Sequence, residues 1–174
     1  MTLGNETLIQ LVYIALFAPL CGAIFAAFFG HRQKCLIAGI VPTLLLCISF
    51  VASLLLFISL YQADLIIHID FLTWIEAGDF YSSFGYMVDV ISVSMMLVVS
   101  LISMLVHIYS IGYMRHDKGF NRYFSYLSAF VFSMMLLVMS DNFLGLFAGW
   151  EGVGLCSYLL IGFWYEKTSA NFAS

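Results

Sequence analysis

One acid inside a long apolar run constrains this chain more than any other feature. From Phe143 to Trp164 the sequence reads Phe-Leu-Gly-Leu-Phe-Ala-Gly-Trp-Glu-Gly-Val-Gly-Leu-Cys-Ser-Tyr-Leu-Leu-Ile-Gly-Phe-Trp. That is apolar enough and long enough to cross a bilayer as a helix, which takes about 20 residues. Glu151 stands near its midpoint. At a rise of 1.5 Å per residue, both ends lie roughly 12–20 Å away, too far for the carboxylate to snorkel to water. A carboxylate held in hydrocarbon costs at least about 2.5–3.5 kcal/mol. Glu151 is therefore expected to face protein or water and to be available for protonation. The plainer alternative is a buried acid that serves assembly alone.

The neighbours of Glu151 have a pattern of their own. Gly145, Gly149, Gly152 and Cys156 follow one another at i, i+4, i+7 and i+11, a stripe with almost no side chain. Such stripes let a second helix approach closely. Glu151 sits about 100° round the helix from Gly152, beside the stripe. Phe147, Ala148, Gly154, Leu155 and Tyr158 share its face. Tyr158, two turns on, offers a hydroxyl, and Gly154 leaves room for water.

The rest of the composition agrees with a membrane protein. Of 174 residues, 63% are hydrophobic and only 9% charged, against about 25% charged in a soluble domain. The net charge of −4 argues against a nucleic-acid surface. No phosphate-binding glycine motif appears, so no bound nucleotide is expected. Cys21, Cys35, Cys47 and Cys156 are scattered through apolar segments and read as small hydrophobes, with no metal site expected. The N-terminal apolar stretch lacks a basic leader region and a cleavage site, so it reads as a retained span.

Taken in order, span one covers about Leu8 to Phe29, with Pro19 inside it as an expected kink. A basic turn, His31-Arg32-Gln33-Lys34, leads to span two, about Cys35 to Leu60, with Pro42 near its start. These two spans read as lipid-facing scaffold. Gln62 to Val88 changes character: Asp64, Asp70, Glu76 and Asp79 appear with no Lys or Arg. Partial alternation puts Ile67, Ile69 and Phe71 on one face, and Ala77-Gly78-Asp79 is a turn signal. Tyr81, Phe84 and Tyr86 suit an aromatic interface belt. The expectation is a β-hairpin on the membrane surface, with His68 a solvated strand residue rather than a metal ligand.

Span three covers about Asp89 to Ile111. Asp89 at its outer end is expected to be an N-cap or interfacial charge. His107, about a turn from the inner end, is either a proton relay or a partner to a neighbouring hydroxyl. Met95, Met96 and Met104 read as packing. A basic loop from Met114 to Arg122 follows, then span four, about Tyr123 to Met139, barely long enough to cross. Asp141 or Asn142 is expected to N-cap span five. The fold class is thus all-α integral membrane, about five transmembrane helices with a short surface β-hairpin between helices 2 and 3. It divides as 1–61 (two helices), 62–88 (hairpin), 89–122 (third helix and basic loop) and 123–174 (helices four and five). Every Lys and Arg falls in loop one–two, in loop three–four, or after span five. The positive-inside rule then places the N-terminus outside.

Several strings resemble one family. Asp141-Asn142-Phe-Leu-Gly-Leu-Phe-Ala-Gly-Trp150-Glu151-Gly152-Val-Gly-Leu-Cys-Ser-Tyr158-Leu-Leu-Ile-Gly-Phe-Trp-Tyr165 is similar to the large antiporter-like subunit of proton-pumping NADH:quinone oxidoreductase, subunit L in bacteria and chain 5 in mitochondria. Tyr86-Met-Val-Asp89 with Ile91-Ser92, and His107-Ile-Tyr109-Ser-Ile-Gly-Tyr113-Met114-Arg115, resemble its N-terminal region. The resemblance covers most of the chain from about Gly85 and, more loosely, the first two spans. It implies that Glu151 belongs to a proton channel and pairs with a lysine of a later broken helix. The positions of Asp89 and His107 match polar residues near the channel region of that family, and with Tyr158, which shares the face of Glu151, they are the further candidates for channel-lining or relay positions. Partners would be other complex I membrane subunits in the lipid bilayer. NADH, FMN, iron–sulfur clusters and quinone would reside in partner subunits, with no cofactor or redox site in this chain.

The implied location is the bacterial inner membrane, or the mitochondrial inner membrane if the chain is organellar. Family members run to roughly three times this length and contain two inverted five-helix repeats. The chain stops just past the fifth span, so the resemblance implies an N-terminal portion holding spans four and five of the first repeat. Two other functions fit the same residues: the large subunit of an Mrp-type sodium/proton antiporter, and a non-transporting membrane assembly subunit.

Overall fold

The computed structural model describes residues 4–29, 35–63, 65–77 and 80–164, with residues 29, 35 and 71–83 described by backbone alone. Its elements are helix α1 (Asn5–Phe29), helix α2 (Cys35–Ala63), strand β1 (Ile67–Ala77), strand β2 (Phe80–Val88), helix α3 (Val90–Tyr113), helix α4 (Phe120–Met139) and helix α5 (Phe143–Ile161). All five helices are long and apolar enough to cross a membrane. The shortest, α5, has 19 residues and reaches about 28 Å, close to the ~30 Å of a hydrocarbon core. The basic turn 31–34, Asp64, the Gly78-Asp79 turn and Glu166-Lys167 lie outside the described residues.

α1 runs through Pro19 as one helix. Proline has no N–H, so the carbonyl four residues back, that of Ala15, loses its helical donor. Ser49 of α2 supplies the replacement, its hydroxyl donating to the Ala15 oxygen at 2.6 Å in a buried position. An unpaired carbonyl in lipid costs several kcal/mol, so this one bond makes Pro19 tolerable and ties the two helices together. Gly22 allows the same pair to close: a Cβ there would lie 3.1 Å from the Pro42 Cα.

The hairpin forms where it was expected. β1 and β2 pair antiparallel, from Ile67 opposite Val88 to Ala77 opposite Phe80. β1 has 11 residues against 9 in β2. Register shifts between Asp70 and Leu72 and between Thr73 and Ile75 absorb the two extra residues. Ile69 is buried and His68 exposed, as alternation requires. Tyr86 departs from the expected interface belt: it is 3% exposed and joins the helical core with Ile69 and Val88. Burial, and secondarily the nearby Tyr13, pushes its phenol pKa up. The hairpin base therefore packs into the end of the helix bundle. It is also stitched to the α4–α5 turn by a bridge between Tyr86 and Ser140 and by the Asp141 N–H donating to the Gly85 carbonyl at 3.3 Å. Gly85 is required there because a Cβ would strike the Asp141 carboxylate.

α4 is the hub, packing against α1, α2, α3 and α5. Its buried residues Phe120, Phe124, Ser128, Val131, Met135 and Met139 recur every three or four positions, one helix face. Val131, Met135 and Met139 share the main core with Leu8, Val12 and Leu16 of α1 and Leu56 and Leu60 of α2. The first two spans are thus more than lipid-facing scaffold. α4 also begins three residues earlier than its sequence suggests. Phe120 is 1% exposed, set over Gly39 and against Phe124, and its burial draws Phe120, Asn121 and Arg122 into the first turn.

Candidate functional site

α5 begins at a well-formed cap. Asn142 is the N-cap, its side-chain oxygen accepting the Gly145 N–H at 2.8 Å, and its amide donates to Asp141 at 2.7 Å. Along its length α5 is laid on α4 through the glycine stripe. A Cβ at Gly149 would lie 2.7 Å from both Cα and N of Leu137, and one at Gly152 would lie 2.7 Å from the Ser133 hydroxyl. Gly145, Gly149 and Cys156 are buried in this seam. The close approach expected of small residues is therefore realised, with α4 as the partner.

The C-terminal end of α5 is clamped by residues that the sequence offered only as a charged loop. The Trp164 indole N–H donates to Asp117 at 2.8 Å. Arg122 donates to the Phe163 carbonyl at 3.2 Å and holds its guanidinium 5.0 Å from the Phe163 ring centre. A Cβ at Gly119 would sit 2.6 Å from that ring. These bonds join residues 41 and 47 positions apart, so no local pattern announces them.

With its seam side fixed, α5 turns Glu151 to the open side. Phe147, Leu155 and Tyr158 are exposed there with it. Glu151 has no hydrogen-bond or ion-pair partner among the described residues. Tyr158 shares the face, but seven positions put it about 10 Å further along the axis, so only water or another group can join the two.

The other two candidates lie elsewhere. Asp89 caps α3, its Oδ1 accepting the Ser92 N–H at 2.7 Å. That bond holds its carboxyl below the usual range despite partial burial. His107 is completely buried. Its Nδ1 lies 2.8 Å from the Ser103 carbonyl and its Nε2 lies 3.1 Å from the Ser128 hydroxyl of α4. Ser128 and the seam residue Ser133 are about 140° apart around α4, so His107 and Glu151 occupy different sides of that helix. Ser128 itself was missed in the sequence. The signal was present, since it is the one polar residue on the apolar face of α4.

Five membrane-length helices, a hairpin sealed onto one end and an acid on the open side of the last helix define a multi-pass membrane protein with an intramembrane carboxylate. Two family patterns match the chain. The one described as NADH-ubiquinone oxidoreductase (complex I), chain 5 N-terminus, covers residues 74–124. The one described as NADH:quinone oxidoreductase/Mrp antiporter, TM, covers residues 140–174. Subunit L of NADH-quinone oxidoreductase from Campylobacter jejuni is 48% identical over 165 residues, 95% of this chain and 26% of that protein. Subunit L from Rickettsia typhi is 44% identical over 95% of this chain and 25% of that protein. NADH-ubiquinone oxidoreductase chain 5 of Chondrus crispus is 43% identical over 91% of this chain and 24% of that protein.

The chain is a relative of these antiporter-like membrane subunits of complex I. It spans about a quarter of their length, so they are nearer four times than three times as long. The likeness takes in the first two spans as well as the Glu151 region.

Proposed function

We propose that the chain is part of a proton-conducting membrane subunit of an NADH:quinone oxidoreductase, in which Glu151 takes up and releases protons. The observation that carries this is the placement of Glu151, mid-span and without a partner among the described residues, on a helix pinned at both ends and along its seam. A pinned helix holds the acid still while a partner moves. That partner is a cation supplied by polypeptide outside this chain, the lysine that the resemblance implies. A cation brought beside a carboxylate favours its charged form, and its withdrawal favours protonation. The effect is worth roughly 1.4–4 kcal/mol of proton affinity. That is comparable with the ~2.3 kcal/mol that each charge gains or loses per 100 mV of membrane potential. Tyr158 lines the same open side and contributes a hydroxyl to the hydrated path.

NADH oxidation and quinone reduction belong to partner subunits carrying FMN and iron–sulfur clusters. The membrane is the bacterial inner membrane or its mitochondrial counterpart, with the N-terminus outside as loop charge indicates. Glu151→Gln in the assembled complex tests the reading, because it keeps size and removes the charge. Protons translocated per NADH oxidised should fall. An assembled variant that pumps at the original ratio leaves Glu151 as a packing residue. The description of the second family pattern also names Mrp antiporters, which favours a second reading. Sodium-dependent proton exchange without NADH would establish it.

A further inference from the structure

We infer that His107 is a positioning residue, a neutral imidazole locked in one tautomer that fixes α3 on α4 and does not exchange its proton while the protein works. The assignment follows from its two partners. A backbone carbonyl only accepts, so the short contact to Ser103 requires a hydrogen on Nδ1. In the neutral ring Nε2 is then the acceptor, and the Ser128 hydroxyl donates to it at 3.1 Å. Both nitrogens are satisfied, and the ring is edge-on to Phe124 with centroids 5.7 Å apart.

A charged imidazole has no compensation in this place. His107 is completely buried, and no acid among the described residues pairs with it. The groups facing it are the Ser103 carbonyl on its own helix and Ser128 and Phe124 on α4. From α1, Gly22 approaches Ser128, where a Cβ would lie 3.7 Å from the hydroxyl. The ionisable side chain on the same seam is Tyr123, hydrogen-bonded to Ser110 at 3.3 Å. A relay must also hand its proton on. The Nδ1 proton of His107 points into a carbonyl that already accepts a helical bond and cannot take up a proton. The wire ends there. The ring instead joins α3 and α4 on the side of α4 away from Glu151, and this holds whether or not Glu151 carries protons.

His107→Gln is the deciding variant in the assembled complex. A glutamine amide can donate to Ser103 and accept from Ser128 but cannot titrate. The expected result is an unchanged ratio of protons to NADH, and an unchanged pH profile of that ratio. His107→Leu leaves the Ser128 hydroxyl unpaired, and the assembled fraction should fall about fivefold or more. An assembled His107→Gln complex with a lowered ratio or a displaced pH profile overturns the inference, as does His107→Leu assembling like the parent. If His107→Gln does not assemble, Ser128→Ala decides. It removes one oxygen, leaves the imidazole, and should keep the original ratio in whatever assembles. A lost ratio there means the hydroxyl carries protons and the clasp is refuted.

Discussion

Gly149→Ala puts the α4–α5 seam to a quantitative test. The added Cβ would lie 2.7 Å from the Cα and N of Leu137 and 2.8 Å from its Cβ, where carbon atoms prefer about 3.5–4.0 Å. Two of the three obstructing atoms are backbone, so no rotamer change relieves them and the helices must part by about 1 Å. Overpacking of this kind costs about 1–3 kcal/mol. Alanine recovers about 0.8–1.0 kcal/mol in helix propensity, which would blur a single measurement. Gly154→Ala removes that ambiguity: it lies in the same helix, makes the same exchange, and its Cβ meets nothing within 4 Å. The difference between the two variants therefore isolates the steric term, and Gly149→Ala should be the less stable by about 1–3 kcal/mol. Reversible unfolding of the membrane-embedded protein in detergent or bicelles would measure it. If Gly149→Ala were as stable as Gly154→Ala, the seam would be looser than described and α5 would not be held rigidly behind Glu151.

Asp89→Ala should destabilise the protein by about 0.5–2 kcal/mol through loss of the α3 cap, whereas Asp89→Asn should cost far less; thermal unfolding of the two variants compares them. The folded carboxyl titrates below its unfolded value of about 3.9. The charge-dependent part of the capping contribution is therefore complete above that value and is lost as the pH falls through the lower, folded one. The Asp89→Ala deficit should shrink accordingly in strongly acidic solution. Ser49→Ala should cost about 0.6–1.7 kcal/mol, the scale of hydrogen bonds between membrane helices. In a Pro19→Ala background the Ala15 carbonyl regains an N–H, so Ser49→Ala should then cost little. Equal costs in both backgrounds, measured by a double-mutant cycle, would refute the role given to Ser49.

Periodicity and length made the helices legible, because a bilayer leaves few choices: a run of about 20 apolar residues must satisfy its own backbone. The hairpin was legible too, from alternation and a turn signal. Boundaries were less so, and α4 shows why. Arg122 looks like a loop residue, yet it lies in the first helical turn because Phe120 is drawn into the core. Tyr86 looked like an interfacial aromatic and is core, because strand pairing sets which face meets the helices.

The sequence alone determined that an acid sits at mid-membrane depth, with a near-bare stripe beside it. Both are consequences of spacing along one helix, and one helix has fixed geometry. Only the packed structure decided which helix fills the stripe, which way Glu151 then points, and that His107 bonds across to Ser128. Those outcomes depend on contacts between residues far apart in the chain, and no periodicity within a single segment encodes its partner.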